Sequence, residues 1–314
     1  GVAEPLGDRL LRLSAGTIAG LEYLLVLIAA DERSARTIAS RQGLAWLCLF
    51  LPLIWVALPA RWPGRFSAWV GFLALLVYRP PSPPEGCVDI TMLDVGQGLA
   101  AVLRTREHAA LYDSGPAWRS GGSAGERIVL PYLRSQGISA LDHSDLDHAG
   151  GLQAILEAIP ARRLESGDAL PWIKRDQSRC KAPDSWQWNG VRFSYLHPPV
   201  GHVLERNDAS CVLLVAVGQQ RYLLTGDIEA AVETSLIQKR VLPEVSIVSV
   251  PHHGSQTSSL VPFIRSVNSE FALASAAYSN QWGFPKDKIV ARWEGAGARV
   301  LNTATSGAIR VRMC

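Results

Sequence analysis

The chain has 314 residues, 48% of them hydrophobic and 19% charged, with 27 Gly and 19 Pro. It is too apolar for a disordered segment and too long for one small module, and its charged fraction lies below the roughly 25% usual in soluble domains. The net charge is +3, divided as 8 basic to 6 acidic residues before position 86 and 23 to 22 after it, so neither half has the field of a nonspecific nucleic-acid binder.

The charge deficit is concentrated in the first eighty residues, which read as membrane-embedded. The sequence opens on Gly1 without a basic region, apolar core and cleavage site, so it reads as a fragment and not as a chain starting with a signal peptide. Residues 13–30 form an apolar stretch with Glu22 near its middle, predicted to span the membrane with that carboxyl facing protein. Residues 43–60 are eighteen positions without a charge, about the length needed to cross a ~30 Å hydrocarbon core, with Pro52 as a kink. Residues 66–78 make a shorter span with Trp69 and Tyr78 at its interfaces. Three crossings put Arg33, Arg36 and Arg41 on the side of the C-terminal part and Arg9, Arg12, Arg61 and Arg65 opposite, which favours an extracytoplasmic C-terminal part. We therefore expect a membrane domain over 1–78, a stiff Pro-rich linker over 79–86, and a folded domain over 87–314.

From residue 87 the pattern is mixed α/β. Val88, Ile90 and Met92 alternate with Asp89 and Thr91, and short apolar runs follow at 99–103 and 109–112. Helix-period segments are predicted at 125–136 and 149–159, and strands near 191–196, 211–217 and 220–224. The densest chemistry is the run His143-Ser144-Asp145-Leu146-Asp147-His148, followed by Ala149-Gly150-Gly151. Four potential ligands within six positions cannot share one face of a regular element, so a metal reading needs a loop that folds them around an ion. The same residues would also suit a solvated helix cap. Asp113 and Asp227 each end an apolar run beside a glycine, where α/β layers place functional groups, although either could be a turn aspartate. Pro251-His252-His253-Gly254-Ser255 follows the apolar run 245–250; on an extended chain adjacent histidines diverge, so at most one should bind an ion. His108, His197 and His202 have no carboxylate neighbours in sequence and read as surface or packing residues.

The series Asp94-Val-Gly-Gln-Gly98, Tyr112-Asp-Ser-Gly115, His143-x-Asp-x-Asp-His148-Ala-Gly-Gly151, Asn207-Asp-x-Ser210, Thr225-Gly-Asp227 and His252-His-Gly-Ser255 resembles the metallo-β-lactamase-like domain of ComEC/Rec2 proteins, the membrane channels of DNA uptake in bacterial natural transformation. The resemblance covers residues 87–314 and implies an αββα sandwich, preceded by transmembrane helices, with a metal site at one edge of its two sheets. It implies His143, Asp145, Asp147, His148, Asp227 and His252 or His253 as ligands of one or two divalent ions, Mn²⁺ or Zn²⁺, with Asp147 and Asp227 central to catalysis. Asp113 would orient a ligand imidazole, and Asn207 and Ser210 would line the site. Related sequences place an apolar strand directly before the first ligand histidine, whereas here Leu141-Asp142 runs straight into His143; this implies either an omitted segment, favoured because both sides of the junction stay in pattern, or a protein lacking the strand that positions its ligands, with a distorted or inactive site.

The activity implied is metal-assisted phosphodiester hydrolysis degrading the non-imported DNA strand at an inner-membrane uptake channel, with single- or double-stranded DNA, membrane lipid and other competence proteins as partners. A catalytically inactive vestibule that guides DNA, or a small-molecule hydrolase on the same fold, stays open beside it. The extracytoplasmic placement implies an oxidising compartment, and there we expect a Cys180–Cys211 disulfide, with Cys87 and Cys314 a weaker second pair.

Overall fold

The computed structural model describes residues 80–314 except Arg119, 146–148, Ala169, Trp172, Lys174, His202, Val203, Glu205 and the side chains of Asp145 and Ala149. The stretches expected to span a membrane, 13–30, 43–60 and 66–78, lie outside these residues. Among the described residues no helix is long and apolar enough to cross one.

In chain order the elements are β1 (Val88–Met92), β2 (Ala101–Arg104), β3 (Ala109–Tyr112), α1 (Leu130–Ser135), β4 (His143–Asp145), α2 (Leu152–Ala158), β5 (Leu164–Ser166), β6 (Ser178–Arg179), β7 (Ser185–Trp188), β8 (Val191–His197) and β9 (Val212–Val217). Then come β10 (Gln220–Leu224), α3 (Ala230–Gln238), β11 (Ile247–Ser249), α4 (Val261–Val267), β12 (Phe271–Ala274), α5 (Asp287–Gly295), β13 (Arg299–Asn302), α6 (Thr303–Ser306) and β14 (Ile309–Met313). The helix expected over 125–136 opens as a wider turn, Gly125–Val129, before α1, and that over 149–159 opens as a tight turn, Ala149–Gly151, before α2.

The strands form two seven-stranded sheets, ordered β14-β1-β2-β3-β4-β5-β6 and β13-β12-β11-β10-β9-β8-β7. Each sheet is antiparallel on one side and parallel on the other: β3 to β6 run parallel in the first, β10 to β13 in the second. Strand alternation decides which side chains meet between them. Val88, Ile90 and Met92 of β1, Tyr112 of β3, Phe193 and Tyr195 of β8, and Leu213 and Val215 of β9 share one buried apolar cluster. Alternate residues face outward under helices: Val212 and Leu223 pack with Val232, Phe263 and Trp293, while Val102 and Leu111 pack with Leu133 and Ile155. The result is a four-layer αββα sandwich, each fully buried large side chain contributing about 1.5–3 kcal/mol of burial.

Among the described residues no strand forms directly before His143, and motif residues take its place in the sheet. His143, Ser144 and Asp145 themselves form β4, in register with Ala110, Leu111 and Tyr112 of β3, because the sheet must be continued between β3 and β5. The Pro-rich stretch, expected to be a stiff linker, makes hydrogen bonds to the domain from Pro80 onward. Arg104 Nη2 donates to Ser82 Oγ at 3.0 Å, Gly86 N to Asn189 O at 2.9 Å, and Asn189 Nδ2 to Glu85 Oε2 at 3.3 Å.

Covalent links add to this. Disulfides join Cys87 to Cys314 and Cys180 to Cys211, with sequence separations of 227 and 31. The first clamps the start of β1 to the chain's last residue beside β14, and the second joins the two sheets near β6 and β9. Replacing Cys180 and Cys211 together by Ala is expected to lower stability by about 2–5 kcal/mol in denaturant titration under oxidising conditions, and in reductant, where the Cys87–Cys314 link is lost from both proteins, wild type and variant should unfold together.

Asp89 sits on the outer face of β1, buried, and accepts hydrogen bonds from Arg312 Nε at 2.6 Å and from Arg310. Burial alone would raise its carboxyl, but the hydrogen bonds and charges of Arg312 and Arg310 outweigh that and hold it below the ordinary carboxylate range. A depressed carboxyl contributes stability that is fully present above the unfolded value, near 3.9, and is lost as pH falls through the folded one. Thermal melts between pH 7 and pH 3 should therefore show an acid loss in wild type that flattens in Asp89→Asn, which should already be less stable at pH 7.

Candidate metal centre

The candidate groups lie beyond the carboxyl ends of the parallel strands, where α/β layers leave backbone turns and side chains free to converge. After β3, Asp113 is buried and left-handed, φ 64°, and its Oδ1 accepts from Ser114 N at 2.8 Å. That turn is pressed against the glycine pair following the motif: Gly151 N donates to Gly115 O at 3.0 Å. A Cβ on Gly151 would lie 2.3 Å from Ser114 O, and one on Gly150 2.3 Å from Ala117 N, so only glycines permit this approach. The chain therefore leaves the first sheet at Asp145, paired with Tyr112, and re-enters described structure against the Asp113 turn. Asp147 and His148 fall between these two anchors, outside the described residues.

From the second sheet, Thr225-Gly226-Asp227 follows β10. Thr225 is fully buried and staples the ends of β10 and β11, its N donating to Ser249 Oγ at 2.8 Å and its hydroxyl to Ser249 O at 2.9 Å. Asp227 N donates to Ser210 Oγ at 3.1 Å, which fixes the carboxylate's backbone to the turn before β9. Asp227 Oδ1 lies 3.3 Å from His253 Nε2, and both residues are buried.

The histidine pair is not on an extended chain as the sequence reading assumed. His252, His253 and Gly254 are three successive left-handed residues, φ 49°, 56° and 82°. Non-glycine residues resist this conformation, and such strain concentrates at functional sites. The turn is held by His252 N donating to Gly226 O at 3.1 Å, and it sends the two rings apart. His253 faces Asp227, while His252 Nδ1 lies 3.2 Å from Glu229 Oε1 and 3.1 Å from Thr257 Oγ1. Asn207 Nδ2 and Thr257 Oγ1 also donate to Glu229 Oε1, at 3.0 and 3.1 Å. Ser210 thus supports Asp227 directly, and Asn207 reaches His252 only through Glu229.

His143 lies elsewhere in the interior, 2% exposed on the inner face of β4. Its Nε2 is 2.7 Å from Tyr195 Oη, which donates to Glu165 Oε2 at 2.8 Å, and its ring stacks on Trp186 with centroids 4.8 Å apart. Burial, against the opposing charge of Glu165, pushes its pKa down to about 4. Among the remaining histidines, His197 is a packing residue, Nε2 2.8 Å from Asp208 O, but His108 does have a carboxylate neighbour. Its Nδ1 is 3.2 Å from Asp142 Oδ2, a pairing of residues 34 positions apart that no local reading could find. Glu229 and Thr257 were likewise invisible to sequence reasoning, since neither sits in a ligand pattern.

The donor chemistry fits a divalent ion. Two ligands of a tetrahedral centre with ~2.0–2.1 Å bonds stand about 3.3 Å apart, the separation found between Asp227 and His253. Among the described residues no three His, Cys, Asp or Glu side chains gather into a cage.

Residues 93–276 match the family model described as the metallo-beta-lactamase superfamily. The chain is 36% identical to the protein YcaI of Escherichia coli over 85% of its own length and 35% of that protein's. It is 38% identical to Recombination protein 2 of Haemophilus influenzae over 76% of its length and 30% of the relative, and 34% identical to Competence protein ComA of Neisseria gonorrhoeae over 79% and 35%. The chain belongs to the ComEC/Rec2 branch of the metallo-β-lactamase superfamily. It spans about a third of the length of these relatives.

For this ComEC/Rec2 domain the site turn depends on Gly254. A Cβ there would lie 2.5 Å from Pro285 Cβ at a backbone angle that L residues resist. Gly254→Ala should cost about 2 kcal/mol or more in chemical denaturation, whereas Gly295→Ala, at a helix end with open space around it, should change stability by less than about 1 kcal/mol.

Proposed function

We propose that this domain is a metal-dependent phosphodiesterase serving a DNA-uptake channel of the bacterial inner membrane, where it degrades the strand that is not imported. The observation that carries the reading is the buried Asp227–His253 pair, 3.3 Å apart beyond the parallel strands and supported by Ser210. Asp227 and His253 would hold the ion together with Asp145 at the end of β4 and with Asp147 and His148 after it, while His252 is braced outside them by Glu229. We assign His143 to the sandwich interior, since its ring nitrogen already meets Tyr195.

A bound divalent ion would lower the pKa of a bound water to about 7, making hydroxide available at neutral pH, and would supply a positive charge against the scissile phosphate. The chain's own residues provide the rest. Buried, paired carboxylate and imidazole exclude competing water, and the rigid left-handed turn fixes His253 toward Asp227 before any substrate arrives. A carboxylate-rich donor set favours hard, oxygen-seeking ions, so Mn²⁺ should support activity at least as well as Zn²⁺. Kinship with Recombination protein 2 and Competence protein ComA supports DNA as the substrate and the other uptake proteins as partners; the apolar stretches before residue 79 support a multi-pass membrane location with this domain outside the cytoplasm.

Asp227→Asn and His148→Ala should each abolish metal-stimulated DNA cleavage by the full chain and reduce bound metal measured by elemental analysis, with unfolding temperatures near wild type. Unchanged turnover in both variants would overturn the assignment. A wild-type protein that binds no metal would instead be an inactive vestibule, and preferential hydrolysis of a chromogenic lactam would mark a small-molecule hydrolase.

A further inference from the structure

Beyond the carboxyl end of β12 the chain makes a loop over residues 275–286. Five large hydrophobic residues are exposed among the described residues, and the two aromatic ones are both here: Tyr278, 80% exposed, and Trp282, 48%. Displaying two aromatic rings to water contributes nothing to the core, and clustered exposed apolar groups mark interaction surfaces.

The loop that carries the rings is tied down. Asn280 ties the loop to itself, its Nδ2 donating to Ala277 O at 2.9 Å and Phe284 O at 2.6 Å while its Oδ1 accepts from Phe284 N at 2.8 Å. Ser275 Oγ donates to Gly98 O at 2.6 Å, binding the loop's start to the other sheet, and Lys286 N donates to Gly254 O at 3.0 Å, binding its end to the histidine turn. The Trp282 and Phe284 rings lie nearly parallel, 22° apart with centroids 6.4 Å distant, and Lys286 Nζ stands 5.6 Å from the Phe284 centroid while donating to Trp282 O. On its other side Phe284 meets His252 of the candidate centre, rings 6.0 Å apart.

Flat aromatic faces held in place, an ammonium beside them and direct continuity with a phosphodiesterase centre together match one ligand chemistry: bases stacked on rings with their phosphates near a cation. A duplex hides its base faces; an unpaired strand offers them. We propose that Tyr278, Trp282 and Lys286 form a stacking platform for unpaired nucleobases, so that single-stranded nucleic acid is led into the centre past His252. This rests on the phosphodiesterase reading and narrows its substrate class.

The test uses the full chain in chelator, so that binding is read without cleavage, with fluorescein-labelled oligothymidylate and a labelled duplex followed by anisotropy. Trp282→Ala and Tyr278→Ala should each weaken single-strand binding about tenfold, Trp282→Phe should retain most of it, and duplex binding should change less than about twofold. Both side chains are exposed, so unfolding temperatures should match wild type; Trp282→Leu, which keeps apolar bulk without a π face, should behave as the alanine variant does. The platform is overturned if the alanine variants bind oligothymidylate like wild type, if duplex binding falls equally, or if wild type does not bind the single strand. Cleavage with Mn²⁺ is measured separately: its absence in wild type sinks the phosphodiesterase reading alone, and its presence with unchanged binding in the variants sinks the platform alone.

Discussion

The apolar layer between the two sheets is the constraint on which the site depends. Asp227, His252 and His253 sit on turns, and turns have no rigidity of their own. They gain it because β1, β3, β8 and β9 bury Ile90, Met92, Tyr112, Phe193 and Leu213 against one another, which fixes the two parallel edges face to face. Polar links also cross this layer: Tyr112 Oη donates to Cys211 O, Tyr195 Oη to Glu165, and Ser275 Oγ to Gly98 O. Their directionality sets the register of one sheet on the other in a way that interchangeable methyl groups cannot.

On this platform the backbone approaches itself unusually closely. Gly151 lies against Ser114, and Gly254 against Pro285, at distances where a single added methyl would collide. These contacts bring turns from different strands to one place, so the glycines act on the site without touching substrate. The left-handed pair His252 and His253 is held in the same region by backbone bonds to Gly226 and by the Asp227 and Glu229 carboxylates. Strain of this kind persists only where the surroundings over-determine it.

The two histidine environments show how burial divides roles among residues of one type. His143 is enclosed by Trp186, Tyr195 and Glu165, and desolvation keeps its ring neutral across ordinary pH. His252 remains partly open beside an anionic partner, next to the exposed aromatic loop. Solvent access separates an interior packing group from one placed to meet a ligand.

The sequence alone determined the class of fold and the family. Period-two alternation puts Val88, Ile90 and Met92 on one apolar face of a strand, and a carboxylate beside a glycine at the end of an apolar run, as at Asp113 and Asp227, marks where a strand gives way to a turn. The motif series was specific enough to name a family, because it depends on residue type and spacing. Tertiary structure decided the rest. Whether His143 faced a metal or the core depended on which residues continued the sheet between β3 and β5, and that register is set by strands far away in sequence. Glu229 became the partner of His252, Asp142 the partner of His108, and the aromatic loop a neighbour of the histidine turn only when separate strand ends converged. Local sequence carries propensity and pattern, but the distance between two side chains on different strands exists only once the sheets have packed.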